Sequence, residues 1–270
     1  MSNKIFEINI GLGDLFITRL YLDHHNELKN DLCISTKTMQ HFRTIDKEYL
    51  IFLLYLIRHL FPDRKVHLDK GQIINKDRMN IKNFTQDVQK KIQKDLKCYF
   101  PFTQKLKSYE KYIVFQTKVR IDGKGLDYNK LIKFSSLMKK FKTSYKIIII
   151  GERNISNQVK EKDIHKITTI YDYLLPLKIN NDIIDLSEDE LIVKPDIKKF
   201  ERDLNLIEHA DMNIGFGWGG NFSMTWSVSE KFCYFIDFLQ HPIFDFFEKI
   251  EKGFLYRDFD KFLEKISSIQ

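Results

Sequence analysis

Residues Asp211 to Trp226 read Asp-Met-Asn-Ile-Gly-Phe-Gly-Trp-Gly-Gly-Asn-Phe-Ser-Met-Thr-Trp and hold four of the chain's eleven glycines. An apolar run ending at Ile214 precedes them, and Met224 to Phe232 suits a continuing helix. Glycines between a strand and a helix let the backbone come close to a ligand. The helix then offers unpaired N–H groups and the positive end of its dipole to an anion. Capture of a phosphate is the chemistry such a turn suits. A tight turn against a neighbouring strand explains a lone glycine cluster equally well.

A second glycine turn lies near the N-terminus, where Ile8-Asn-Ile-Gly-Leu-Gly-Asp-Leu-Phe places Gly11 and Gly13 ahead of Asp14. Lys4 to Ile10 alternates as a buried strand does, and Leu15, Thr18, Arg19 and Leu22 follow at helical spacing. Strand, Gly-Leu-Gly and helix open a Rossmann-like unit. Phe16 stands where the dinucleotide fingerprint needs its third glycine, which disfavours a nicotinamide-type pyrophosphate site. Asp14 is either a helix cap or a carboxylate held at the mouth of a cleft.

The elements that would position these turns alternate between strand and helix. Lys111 to Gln116 is an apolar strand, and Thr117 to Gly125 reads as a basic, glycine-containing loop. Tyr128 to Phe141 is an amphipathic helix, and Tyr145 to Ile150 is a strand apolar enough to be buried on both faces. Lys198 to Ala210 reads as a helix, Met212 to Gly215 as a strand, and Asp237 to Ile269 as helical with aromatic faces. In the first half, Leu32 to Ser35 and Asp63 to Leu68 read as short strands around an apolar helix, Asp46 to Phe61, which Pro62 stops. The alternation implies α/β architecture with parallel sheets. A polar stretch near Thr103 to Glu110 divides the chain.

Composition narrows the function classes. At 270 residues with 43% hydrophobic content, the chain can bury one large core or two smaller ones. The formal charge of +7 would draw anionic substrates or an acidic membrane surface. Only nine of the 44 basic residues are arginine, and no nucleic-acid-binding motif accompanies them, so no specific nucleic acid is expected. Three scattered cysteines and no cleavable signal place the expected compartment in the cytoplasm, with peripheral membrane association as a further expectation.

Five features in order resemble a GT-B glycosyltransferase, most closely the heptosyltransferase-like group (glycosyltransferase family 9). They are the strand ending in Gly11-Leu-Gly13-Asp14, the strand opening onto Lys118 and Arg120, and the strand ending in Gly151-Glu152-Arg153. The phrase Asp203-Leu-Asn-Leu-Ile-Glu-His-Ala-Asp211 follows, then Asn213-Ile-Gly with its glycine turn. The resemblance implies two Rossmann-like domains facing across a cleft. Residues 1–106 would form the acceptor-side domain and 107–250 the nucleotide-sugar-binding domain, with 251–270 a terminal helix packing back toward the first.

It also implies roles. Asp14 would be the general base, and the N–H groups of Gly219, Gly220, Asn221 and Phe222 would hold the donor diphosphate without a metal or a cofactor. Lys118 and Arg120 would neutralise it, and Gly11 and Gly13 would shape the acceptor side. Gly151, Glu152, Arg153, Glu201 and Trp218 would border the nucleoside. Glu152 reads equally as a helix cap, Glu201 as a solvated carboxylate, and Trp218 as a packing residue at the turn edge. The implied activity is transfer of a sugar from a nucleotide-sugar donor to a glycan or lipid-linked saccharide, inverting and metal-independent.

The family's histidine after the glycine turn is replaced, since Phe222, Ser223 and Met224 occupy its neighbourhood. That departure keeps a second expectation in view, a non-catalytic nucleotide- or glycan-binding protein on a GT-B frame. A basic nucleic-acid-binding protein is the third. Asp258-Phe-Asp260 matches a metal-binding Asp-x-Asp but lies in the charged terminal segment, where coincidence explains it.

Overall fold

A computed structural model describes residues 5–8, 15, 31–34, 47–62, 64–68, 76–78, 111–120, 126–154, 167–188, 197–217, 220–236 and 253–269. The chain divides into two compact units, Met1–Pro101 with Pro242–Ile250, and Phe102–His241 with Glu251–Gln270.

The first unit carries a parallel sheet of β1 (Ile5–Ile8), β2 (Asp31–Ile34), β3 (Val66–Leu68) and β4 (Lys76–Arg78), in the order β3-β2-β1-β4. Helix α1 (Lys47–Leu60) joins β2 to β3. Its Phe52, Leu56, Ile57 and Leu60 are buried at helical spacing. Pro62, which has no N–H to continue the ladder, follows Phe61, whose own N–H still reaches Ile57 O at 2.8 Å.

In the second unit, six parallel strands form one sheet: β5 (Tyr112–Gln116), β7 (Lys146–Ile150), β9 (Ile183–Asp185), β10 (Met212–Phe216), β11 (Phe232–Phe235) and β12 (Phe254–Tyr256). Their order is β12-β11-β10-β5-β7-β9. β5 is buried along its whole length, and β7 has four consecutive buried isoleucines. Stiff β-branched and aromatic side chains of this kind suit a sheet covered on both faces. Helix α2 (Tyr128–Lys140) is capped by Asp127, which accepts from the Lys130 N–H at 2.9 Å, and it buries Phe134 and Met138. The chain continues through α3 (Tyr171–Leu174), a 3-10 turn (Leu175–Ile179), α4 (Ile197–His209), α5 (Gly220–Val228) and α6 (Phe259–Ser267).

Aromatic rings fill the space between the sheet and α2 and α6. Phe134 meets Phe216 edge-on at 4.9 Å, Phe216 meets Phe262 at 5.0 Å and Phe235 meets Phe259 at 5.0 Å. Such pairs add about 0.5–1.5 kcal/mol each beyond their buried area. Asp258 caps α6 by accepting from the N–H groups of Asp260 and Lys261, and Asp260 pairs with Lys133 at 2.9 Å. The Asp-x-Asp phrase is thereby a helix start.

Several elements differ from the sequence expectations. The expected loop from Thr117 contains a strand, β6 (Lys118–Arg120), which pairs antiparallel with β8 (Ile167–Thr169). The helix expected to run from Met224 to Phe232 ends at Val228, and Phe232–Phe235 is β11, buried throughout. The terminal segment is not wholly helical, since Phe254–Tyr256 is a sheet strand. Residues 251–270 belong to the second unit, where Phe259, Phe262 and Ile266 are part of the core. Among the described residues no helix is long and apolar enough to cross a membrane.

Candidate functional site

Read from β9, the six-stranded sheet runs β9-β7-β5-β10-β11-β12. In chain order this is 3-2-1-4-5-6, the doubly wound Rossmann-like order. The direction of crossover reverses between β5 and β10. Ligands of open α/β sheets collect beyond the carboxyl ends of the strands at that reversal. Three segments named from the sequence leave this end of the sheet: Thr117 to Arg120 after β5, Gly151 to Arg153 after β7, and Gly217 onward after β10.

Beneath the reversal, Thr225 ties three elements together. Its hydroxyl accepts from Gln116 Nε2 at 2.6 Å, donates to Asn221 O at 2.9 Å and lies 3.0 Å from the Tyr234 hydroxyl. With its one hydrogen donated to Asn221, it accepts from both Gln116 and Tyr234, and its hydrogen-bonding capacity is filled. Burial raises the Tyr234 phenol well above its ordinary value, against a smaller opposing effect of the Thr225 contact, so the hydroxyl stays protonated and can donate. The Tyr234 ring crowds Gly215, where a Cβ would stand 2.5 Å from it.

Helix α5 begins at Gly220, four residues after β10 ends. Gly220, Asn221 and Phe222 thus form its first turn, where backbone N–H groups have no intrahelical acceptor. The Phe222 side chain is buried and meets Tyr234 at 5.3 Å and Phe232 at 6.0 Å, both edge-on. The ring anchors this turn in the core. Trp218 and Gly219 lie outside the described residues, as do Gly11, Gly13 and Asp14.

At the ends of β5 and β7, Gly151 takes φ +106, and a Cβ on it would stand 2.6 Å from Thr117 Oγ1. Both the twist and the close approach need glycine there. The turn aims the Glu152 carbonyl at two hydroxyl donors, Thr117 Oγ1 at 2.6 Å and Thr169 Oγ1 at 2.8 Å. The Glu152 side chain is only 4% exposed and its Oε1 accepts from Lys118 Nζ at 2.9 Å. For Arg120 the backbone is described, as the last residue of β6.

Arg153 is also engaged. Its Nε donates to Ser187 Oγ at 3.0 Å, its guanidinium stands 3.7 Å from Asp185, and it lies over the Tyr171 ring at 5.4 Å. Asp185 accepts further bonds from the Tyr171 hydroxyl at 2.7 Å and from the Ser187 hydroxyl and N–H. Burial alone would raise this carboxyl. The bonds from Ser187 and Tyr171, with the Arg153 charge, outweigh it and hold the pKa below the ordinary value. Two of the three cations named from the sequence, Lys118 and Arg153, therefore have carboxylate partners.

Glu201 lies on α4, partly buried. Beside it a charged cluster fastens α4 to the chain after β9: Lys199 meets Glu188 at 2.7 Å, and Arg202, which pairs with Asp203 on its own helix at 2.8 Å, stands 3.9 Å from Glu188. Burial pushes the Asp203 carboxyl up to about 6, with Arg202 opposing it. Asp211 and Asn213 have structural duties at the amino end of β10, opposite the candidate ligand rim. Asp211 accepts from the Tyr112 N–H at 3.2 Å, and Asn213 Nδ2 donates to the carbonyls of Ile207 at 2.9 Å and Lys231 at 3.0 Å.

Sequence reading missed Gln116, Thr117, Thr169 and Thr225. The available signal was polar residues directly after the apolar stretch Tyr112 to Phe115, where a buried parallel strand reaches its carboxyl end. Among the described residues no group of three or more His, Cys, Asp or Glu could hold a metal ion.

No protein-family model matches the chain, and none of the curated proteins or solved structures does. The resemblance to heptosyltransferase-like enzymes therefore rests on the order of the motifs alone.

Proposed function

We propose that the second unit binds the nucleoside diphosphate portion of a nucleotide sugar, and that the chain is a GT-B glycosyltransferase acting on a glycan or lipid-linked saccharide. The observation that carries this reading is the start of α5 at Gly220, just past β10 at the reversal of a 3-2-1-4-5-6 sheet. A helix N-terminus at that point supplies oriented N–H groups and positive potential where an anion would sit. Gly219, Gly220, Asn221 and Phe222 hold the diphosphate through their backbone, and Lys118 and Arg120 offset its charge. Glu152, Arg153, Glu201 and Trp218 border the nucleoside, with Gly151 giving the turn its shape.

In this reading the first unit presents the acceptor beside the turn containing Gly11 and Gly13, and Asp14 takes the proton from the acceptor hydroxyl. That oxygen attacks the anomeric carbon from the face opposite the diphosphate. The carbon–oxygen bond to the nucleoside diphosphate breaks, and the departing charge settles on the N–H groups and cations. Inversion follows from this single displacement.

The engagement of Lys118 by Glu152 and of Arg153 by Asp185 favours a second reading, a nucleotide-binding protein without turnover. One experiment tests both. Nucleoside diphosphates and sugar nucleotides are screened for a rise in melting temperature, since a ligand of the native state stabilises it by mass action. Stabilising donors are then assayed for transfer to saccharide acceptors. Stabilisation with transfer supports the enzyme, stabilisation without transfer supports the binding protein, and no stabilisation by any nucleotide defeats both.

A further inference from the structure

Five large hydrophobic side chains are exposed among the described residues, and four of them stand on two adjoining elements. Tyr128 (69% exposed) and Ile132 (44%) lie one turn apart on α2, while Leu175 (38%) and Ile179 (73%) lie on the 3-10 turn. The two elements are fastened at their carboxyl ends. Asn180 Nδ2 donates to Lys139 O at 2.8 Å, and Asn181 Nδ2 donates to Phe141 O at 2.9 Å and Leu177 O at 3.0 Å. Ile179 thus projects beside the end of α2, where Lys139, Lys140 and Lys142 are all exposed.

These three lysines have no ion-pair partner among the described residues. Their neighbours do: Lys133 is held by Asp260 at 2.9 Å, Lys146 by Asp182 at 3.2 Å and Lys178 by Asp185 at 3.4 Å. Asp127 and Asp172 stand at the opposite ends, at the starts of α2 and α3. α2 runs from the carboxyl end of the sheet back to the start of β7, so Tyr128 stands at the rim end while Ile179 and the three lysines lie at the end away from the candidate ligand rim.

We propose that this face docks on an anionic lipid bilayer, with Ile179 entering the headgroup layer and Lys139, Lys140 and Lys142 meeting the lipid charges. Single projecting aliphatic groups beside ammonium groups offer little of the continuous packed area that a protein partner needs. A fluid bilayer requires no matching shape. It rewards an amphipathic surface of basic and aliphatic side chains. The inference does not depend on the nucleotide reading.

Flotation of the full chain with phosphatidylcholine vesicles, with and without phosphatidylserine, is the test. Binding is expected only with phosphatidylserine and should weaken as salt is raised. Each lysine near such a surface is worth about fivefold in affinity, so Lys139→Gln, Lys140→Gln and Lys142→Gln together should lower binding about 100-fold. Ile179→Ser should lower it about tenfold by removing the inserted side chain. All four positions are exposed, so the variants should melt with the wild type. Equal binding to both vesicle types, or unchanged binding by the variants, overturns the proposal. So does a change in the variants' oligomeric mass without lipid, which would make the face a contact between copies of the chain.

Discussion

Asp14 and Gly215 belong to glycine-containing stretches that the sequence presents alike, Asp14 just after a strand expected from the sequence and Gly215 within β10. For Asp14 the capping and catalytic roles separate on substitution. Asn caps a helix as well as Asp does but cannot take a proton. Asp14→Asn is therefore expected to keep the melting temperature and nucleotide binding while transfer falls by about 100-fold or more. Steady-state kinetics beside a thermal melt checks this, and a near-wild-type rate would leave Asp14 a cap. Gly215 has a packing duty instead. Gly215→Ala puts a methyl group into the buried Tyr234 ring, which Thr225 holds in place. A loss of about 1–3 kcal/mol in chemical denaturation is expected, typical of overpacking. Wild-type stability would mean that the ring can shift.

Between elements, charge decides how α4 sits against the chain following β9. Asp203 has a folded-state pKa raised to about 6, whereas in the unfolded chain it titrates near 4. Between those values the folded protein holds a proton that the unfolded chain has released. Its stabilising contribution is present below about pH 4 and is lost as pH rises to about 6, by up to roughly 3 kcal/mol. Asp203→Asn should remove that slope, so wild type and variant should diverge in denaturant midpoint across this window. Parallel curves would show that Asp203 does not titrate there. The elements themselves were legible to the extent that they were long. The Tyr112 to Gln116 and Lys146 to Ile150 strands and the α2 helix carry enough apolar residues to declare a period. β6, β9 and β12 have three residues each, too few for a pattern, and their pairing is decided by neighbours distant in sequence. The same distance hid the site's wiring. Lys118 and Arg153 could be read as residues following strands, but Glu152 lies 34 positions from Lys118, and Thr225 lies 109 from Gln116.

Across the whole molecule, the first sheet and the centre of the second share one winding. In each, a strand is flanked by its two successors on one side and the fourth strand on the other. In the second unit that arrangement places β5 directly beside β10, and the contact from Tyr112 to Asp211 closes 99 residues of chain. Closing so long a loop loses entropy before any compensating contact forms, which makes such pairings slow. The floor of the candidate crevice is this pairing, so the crevice should be among the last features to appear as the chain folds. A nucleotide would then find nothing to bind in the folding transition state. Stopped-flow measurements should show a bound nucleotide slowing unfolding while refolding keeps its ligand-free rate. Faster refolding with nucleotide would mean that β5 and β10 meet early. The late pairing also leaves two apolar strand edges, on β5 and β10, unpaired while the chain waits. Refolding yield should therefore fall as protein concentration rises, because a strand from another chain can fill the gap first.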